Sequence, residues 1–226
     1  MIQKQDWDQL MTQATVKLTG ASIKGLAAEF YDVLTEFFND SSCWTQDITV
    51  PYQTNVISYP LFVPEGQMIR LSGVQDWGPS VPNPRIVAPN GTAFVPALMV
   101  DIGTLVLKNP PPNGGYFNVT VVCNTALPTD KNMMPDAPDW VLPLWHVGLL
   151  DGLLGKVMST PEKSYSNAKQ GEYHLRRFRD VIQRARVSKL RANSNGASAW
   201  RFPQQFRSTS QQSGVPAIGS ANERSF

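Results

Sequence analysis

The sequence has little of what reactive sites are usually built from: two cysteines and two histidines in 226 residues. Cys43 and Cys123 stand far apart, at neither redox-pair nor metal-ligand spacing. They read as two reduced, packed thiols. His146 and His174 have no cysteine or second histidine at ligand spacing. His146, inside an apolar stretch, reads as a satisfied core residue. There is no Gly-x-Ser-x-Gly elbow. Gly155-Lys156 imitates the end of a phosphate loop, but Leu150 and Val157 break that motif. None of the 18 carboxylates is singled out as a pair. These gaps argue against an enzyme, so no catalytic residue, metal ligand or cofactor is expected.

Long apolar runs are also scarce. The stretch Met1–Leu10 is polar, with Lys4, Asp6 and Asp8, and no export signal is expected. The longest apolar stretch, Trp140–Leu150, is interrupted by Pro143 and His146 and stops at Asp151. That is about half of the roughly 20 residues a membrane span needs, so no membrane segment is expected. Without secretion, the Asn-x-Ser/Thr triplets at Asn39, Asn90 and Asn118 carry no meaning.

What is present is ample core material, with 42% hydrophobic residues, 6 Trp and 10 Phe. Charge is uneven. Residues 1–162 hold 8 basic and 15 acidic side chains, a net of −7; residues 163–226 hold 12 and 3, a net of +9. Such asymmetry points to a polyanion or to an oppositely charged surface.

The periodicity divides the chain into four parts. In residues 1–44, Ser22 can cap a helix whose apolar positions Ile23, Leu26, Ala27, Phe30, Leu34, Phe37 and Phe38 recur at three and four. A weaker helix is possible within residues 5–16. Residues 45–135 are punctuated by proline and glycine, with strands expected at Asp47–Val50, Val56–Leu61, Met68–Val74, Arg85–Val87, Ala97–Val100, Thr104–Leu107 and Tyr116–Cys123. Asn90-Gly91 fits a tight hairpin turn and Asn113-Gly114-Gly115 a longer one. Strands of this number and spacing predict an antiparallel sandwich or barrel.

In residues 136–192, a buried helix is expected from Trp140 to Ser159, with Pro143 tolerated in its first turn. Gly148 and Gly152, one turn apart, allow another helix to approach closely. A last helix begins near Asn167, where Asn167 and Gln170 have capping-box spacing. Its apolar face is Leu175, Phe178, Ile182 and Ala185; Arg177, Arg184 and Arg191 line up elsewhere at seven-residue steps. Residues 193–226 are polar and cannot form a core of their own. The fold class expected is α+β: a helical bundle from both ends of the chain, an inserted antiparallel β domain, and an extended C-terminal arm.

The six arginines from Arg176 to Arg191 admit three readings: a solvated helix face, a phosphate-backbone contact, or a contact with an acidic protein surface. In the arm, Trp200-Arg201-Phe202-Pro203 followed by Phe206 and Arg207 concentrates the residue types that anchor interfaces. The alternative is that this segment packs back on its own bundle. Trp140, Trp145, Gly148 and Gly152 mark a helix with more apolar surface than one antiparallel partner would cover, an expected contact between subunits.

Three stretches resemble the head-to-tail adaptor, or connector, proteins of tailed bacteriophages. One runs from Leu18-Thr19-Gly20-Ala21-Ser22 through Glu29–Phe38 to Ser41-Ser42-Cys43-Trp44. Another is Pro138-Asp139-Trp140 through Gly148–Gly152 to Pro161–Asn167. The last is Tyr173-His174 through Phe178 and Arg184-Ala185-Arg186 to Trp200–Pro203. The resemblance implies a virion protein of the neck, made in the host cytoplasm, forming a ring of identical subunits, commonly twelve. Its partners would be the portal protein, reached by the C-terminal arm, and the tail nozzle or other tail proteins. Genomic DNA would pass through the lumen without specific contact, and no membrane would be involved. Two other readings stand beside it: a cytoplasmic DNA-binding protein using the basic helix, and a carbohydrate-binding module using exposed aromatics such as Trp77.

Overall fold

A computed structural model of the chain describes residues 1–79, 93–101, 103–126 and 134–192. The described residues up to Leu190 belong to one compact unit. The expected strand Arg85–Val87, the Asn90-Gly91 turn and the whole arm from residue 193 lie outside the described residues.

Helix α1 (Lys4–Lys17) is longer than its weak sequence signal. Its N-cap position has no side-chain cap, so tertiary packing of Trp7, Leu10, Met11 and Ala14 holds it. The Trp7 ring meets Phe30 edge-on at 5.4 Å. Helix α2 (Ile23–Ser41) starts as expected, the Ser22 hydroxyl accepting from the Gly25 N–H at 3.1 Å. It stops at Ser42, whose left-handed φ of 53° directs its N–H back to the Phe38 carbonyl. Ile23 falls outside the buried face, and Val33 joins it.

Strands β1 (Thr45–Tyr52), β3 (Gln67–Asp76), β4 (Ala93–Phe94) and β7 (Gly115–Asn124) form one antiparallel sheet in the order β1-β7-β3-β4. Strands β2 (Ser58–Pro60), β5 (Ala97–Val100) and β6 (Thr104–Leu107) form another in the order β2-β6-β5. β1 pairs with β7 over its full length, from Thr45 opposite Val122 to Tyr52 opposite Gly115. β3 pairs with β7 through two irregularities, at Met68/Arg70 and Leu71/Gly73. Central β7 buries Phe117, Val119, Val121, Val122 and Cys123. Tyr52 stacks on Phe117 at 4.0 Å, and Tyr59 of the second sheet meets the same ring edge-on at 5.9 Å.

One expected turn is corrected. Asn113-Gly114-Gly115 does not close a hairpin, because β6 and β7 belong to different sheets. It carries a crossover between them. Local turn chemistry cannot distinguish these outcomes, since both need the same permissive backbone.

Helix α3 (Val141–Ser159) has Pro143 in its first turn and ends before Pro161. By length and composition it could cross a membrane, but 67% of that window is buried inside the chain. It packs against α1 and α2. Helix α4 (Ala168–Ala192) is capped by Asn167, whose Oδ1 accepts from the Gln170 N–H at 3.1 Å. The helices meet the first sheet where α2 runs into β1. There Trp44 packs on Phe38 at 5.1 Å, and its carbonyl accepts from the Cys123 N–H. The chain is thus α+β, with four helices and two small antiparallel sheets among the described residues.

Candidate functional site

The most polar buried contact joins α3 to α4. Asp151 is the one charged residue in the first four turns of α3, and it is only 4% exposed. A carboxylate so placed requires partners, because an unpaired buried charge costs several kcal/mol. Its Oδ1 lies 2.8 Å from His174 Nδ1 and its Oδ2 lies 3.1 Å from Arg177 Nε. Both partners come from α4, three residues apart, and so share one face.

Glycine brings the two helices this close. A Cβ at Gly148 would strike Val181, and at Gly152 it would strike Val33 and Phe178. At Gly155 it would lie 3.0 Å from the Leu175 backbone nitrogen. Gly148 and Gly152, expected at a contact between subunits, are therefore filled by the chain's own α2 and α4. Gly155, outside their one-turn spacing, takes part equally, since positions i, i+4 and i+7 share a helix face. The apolar surface that α3 does leave open is Leu144 and Val147, 67% and 62% exposed. Trp140 and Trp145 are half-buried, Trp145 lying 6.0 Å from Phe37.

Beside this contact lies a groove of about 340 Å³, lined among others by Leu144, Trp145, Val147, Arg177, Asp180 and Arg184. Arg177 reaches both places. Its side chain is 46% exposed, held on one side by Asp151 and set 5.7 Å from the Tyr173 ring centroid. Arg184 is exposed, and among the described residues no carboxylate pairs with it or with Arg179 or Arg186. The expected stripe Arg177, Arg184, Arg191 is thus split. Arg177 serves an internal carboxylate, Arg184 faces the groove, and the side chain of Arg191 lies outside the described residues.

Other basic groups of α4 are engaged within the chain. Arg176 pairs with Glu172 at 2.5 Å. Lys189 Nζ donates to the Ser42 carbonyl at 2.6 Å, neutralising the C-terminal end of α2. Burial lowers the Lys189 pKa. Lys156 of α3 pairs with Glu36 of α2 at 3.1 Å.

The remaining candidates are placed plainly. His146 is half-buried at the groove rim with Nε2 2.9 Å from Gln13 Oε1, so it is satisfied but not in the core. Trp77 is half-buried with its Nε1 enclosed and unpartnered among the described residues, a poor platform for a sugar. Cys43 and Cys123 are free thiols, both with pKa raised by burial, Cys123 to about 11. Among the described residues no three His, Cys, Asp or Glu side chains converge on a metal site. The Asp151–His174 pair could orient a general base, but no hydroxyl or thiol hydrogen-bonds His174 among the described residues. Trp200, Arg201, Phe202, Pro203, Phe206 and Arg207 lie outside the described residues.

The Asp151 contact escaped the sequence reading. Its signal was there: a single carboxylate inside an apolar helix implies a cation on the neighbouring element. No protein-family model matches this chain, and no curated protein matches it.

Proposed function

We propose that this chain is a structural head-to-tail adaptor of a phage virion, forming a ring beneath the portal and linking it to the tail around a DNA channel. The observation that carries this reading is the surface left by α3 and α4. Leu144 and Val147 stand exposed beside Arg184, so the groove offers apolar area next to an arginine that no carboxylate pairs among the described residues. That combination suits a protein partner. The three stretches quoted above, which frame the strand-rich region, support the same family. Mutual packing of α1, α2 and α3, with seven strands among the described residues between α2 and α3, supports a bundle with an inserted β-sandwich.

In this reading the ring is commonly twelvefold, the protein is not an enzyme, and it needs no cofactor. Residues 193–226 form the portal clamp. Trp200, Phe202 and Phe206 anchor it, Arg201 and Arg207 meet acidic or carbonyl acceptors, and Pro203 reduces the ordering cost. The decisive experiment is truncation after Ala192, mixed with the portal of the same phage. The truncated subunit should stay folded and soluble yet fail to attach; full attachment would end the clamp reading. The rival, a DNA-binding protein using the unpaired arginines of α4, predicts steeply salt-dependent duplex binding by the free subunit. An adaptor lumen requires weak, unspecific contact.

A further inference from the structure

The subunit carries a second concavity, with carboxylates in its wall. This cavity, of about 670 Å³, is lined among others by Asp47, Glu65, Asp139 and the amino-terminal Met1, and no lysine or arginine lines it among the described residues. Asp47 accepts from the Thr120 hydroxyl at 2.5 Å, while Glu65 and Asp139 have no cationic partner among the described residues. The loop at its rim projects Phe62, the most exposed large apolar side chain in the described residues at 81%. Three residues on from Phe62 stands exposed Glu65.

That loop is held from both ends. Leu61 is buried and its N–H donates to the Gly103 carbonyl at 2.7 Å. Gln46 Nε2 donates to the Glu65 carbonyl at 3.0 Å. Gly66, at φ +71°, sits so close to Trp44 and the Asn124 carbonyl that no Cβ fits. An aromatic side chain on a fixed loop loses little entropy when it docks, which is what interface anchors require.

We propose that the Phe62–Glu65 loop of one subunit docks into the α3–α4 groove of a second copy, Phe62 against Leu144 and Val147, and Glu65 against Arg184. The two surfaces match in chemistry: an apolar tip with carboxylates behind it, and an apolar wall with arginine behind it. Asp180 in the groove opposes the contact, and Arg177 is already paired with Asp151, so Arg184 is the groove arginine left to meet Glu65 among the described residues. Because the loop and the groove are different patches of one chain, the contact is head-to-tail. It repeats from copy to copy and closes a ring when the rotation per step allows. The proposal rests on the ring reading above and names the faces that meet.

The test uses the full chain, alone at high concentration and with portal. Glu65→Arg and Arg184→Glu should each weaken self-association at least about fivefold, and the double reversal should restore it to within about twofold, as pairing across an interface requires. Phe62→Ser should weaken it with unchanged thermal stability, since Phe62 is exposed. Phe62→Cys with Val147→Cys should give a disulfide ladder of dimers, trimers and higher species on mild oxidation, over a wild-type background carrying Cys43 and Cys123. Rings that still form on portal with either charge reversal, at wild-type occupancy, would overturn this contact and leave the adaptor reading intact. A ladder with no attachment to portal would keep the contact and remove the adaptor reading. Cross-linking that stops at dimers, or loss of duplex DNA binding in Arg184→Glu with unchanged self-association, would overturn the proposal in favour of a two-fold interface or a nucleic-acid face.

Discussion

Replacing Asp151 with asparagine removes a negative charge from the α3–α4 contact while keeping its volume. Asp151 is 4% exposed, so its carboxylate has no water to fall back on. The His174 Nδ1 contact at 2.8 Å is a charge-assisted hydrogen bond, worth about 1.5–3 kcal/mol. Arg177 adds less, because its side chain is about half exposed and solvent screens the pair; about 1 kcal/mol is a fair ceiling. Asparagine can still bond one partner, which places the expected loss for Asp151→Asn at about 2–3 kcal/mol. With a urea dependence of about 2 kcal/mol per molar, the unfolding midpoint should fall by about 1–1.5 M. Arg177→Ala should cost less than Asp151→Asn, since the arginine can hydrate and the carboxylate keeps His174. Equilibrium urea unfolding followed by tryptophan fluorescence measures both. A midpoint for Asp151→Asn within about 0.2 M of wild type, or a larger loss for Arg177→Ala, would refute the account of this contact.

Alanine usually stabilises an exposed helix position relative to glycine by about 1 kcal/mol; Gly155→Ala should instead destabilise, because the new Cβ meets the Leu175 backbone 3.0 Å away, and thermal unfolding reads the sign. Gly148→Ala should destabilise as well, because its Cβ would come within 2.5–2.8 Å of both methyls and the Cβ of Val181, a β-branched side chain stiff at χ1. The Tyr52 hydroxyl donates to Asp76 at 2.7 Å, and its pKa is raised to about 12 by burial first and then by Asp76. A folded pKa above the unfolded value of 10.0 means that this stabilisation is complete below pH 10 and is lost as pH rises towards 12. Ultraviolet titration should show Tyr52 ionising late, as should Tyr59, whose pKa burial also raises, and Asp76→Asn should bring Tyr52 down. In the native protein Cys123 should react with thiol reagents later than Cys43, being fully buried with its pKa raised to about 11.

Where one surface of an element decides its state, the sequence was readable. The α2 cap at Ser22, the α4 cap at Asn167 and the strands Ala97–Val100 and Thr104–Leu107 lie where local chemistry places them. The weak signal of α1 understates a 14-residue helix, because that helix rests on Trp7 and Leu10 packing rather than on propensity. Val56–Leu61 shortens to Ser58–Pro60, its ends leaving the ladder.

The site divides in the same way. Composition and periodicity alone determined that this is a mixed chain with a strongly basic last helix and an apolar helix before it, since period and charge are properties of neighbours in sequence. Only the tertiary structure decided that Gly148 and Gly152 close the subunit's own interior, that Arg177 is committed to a buried carboxylate, and that Arg184 faces a groove. Each of these depends on which helix face meets which, and on the separation of the two backbones. That separation is set by packing across tens of residues of chain, a quantity that spacing within either helix does not contain.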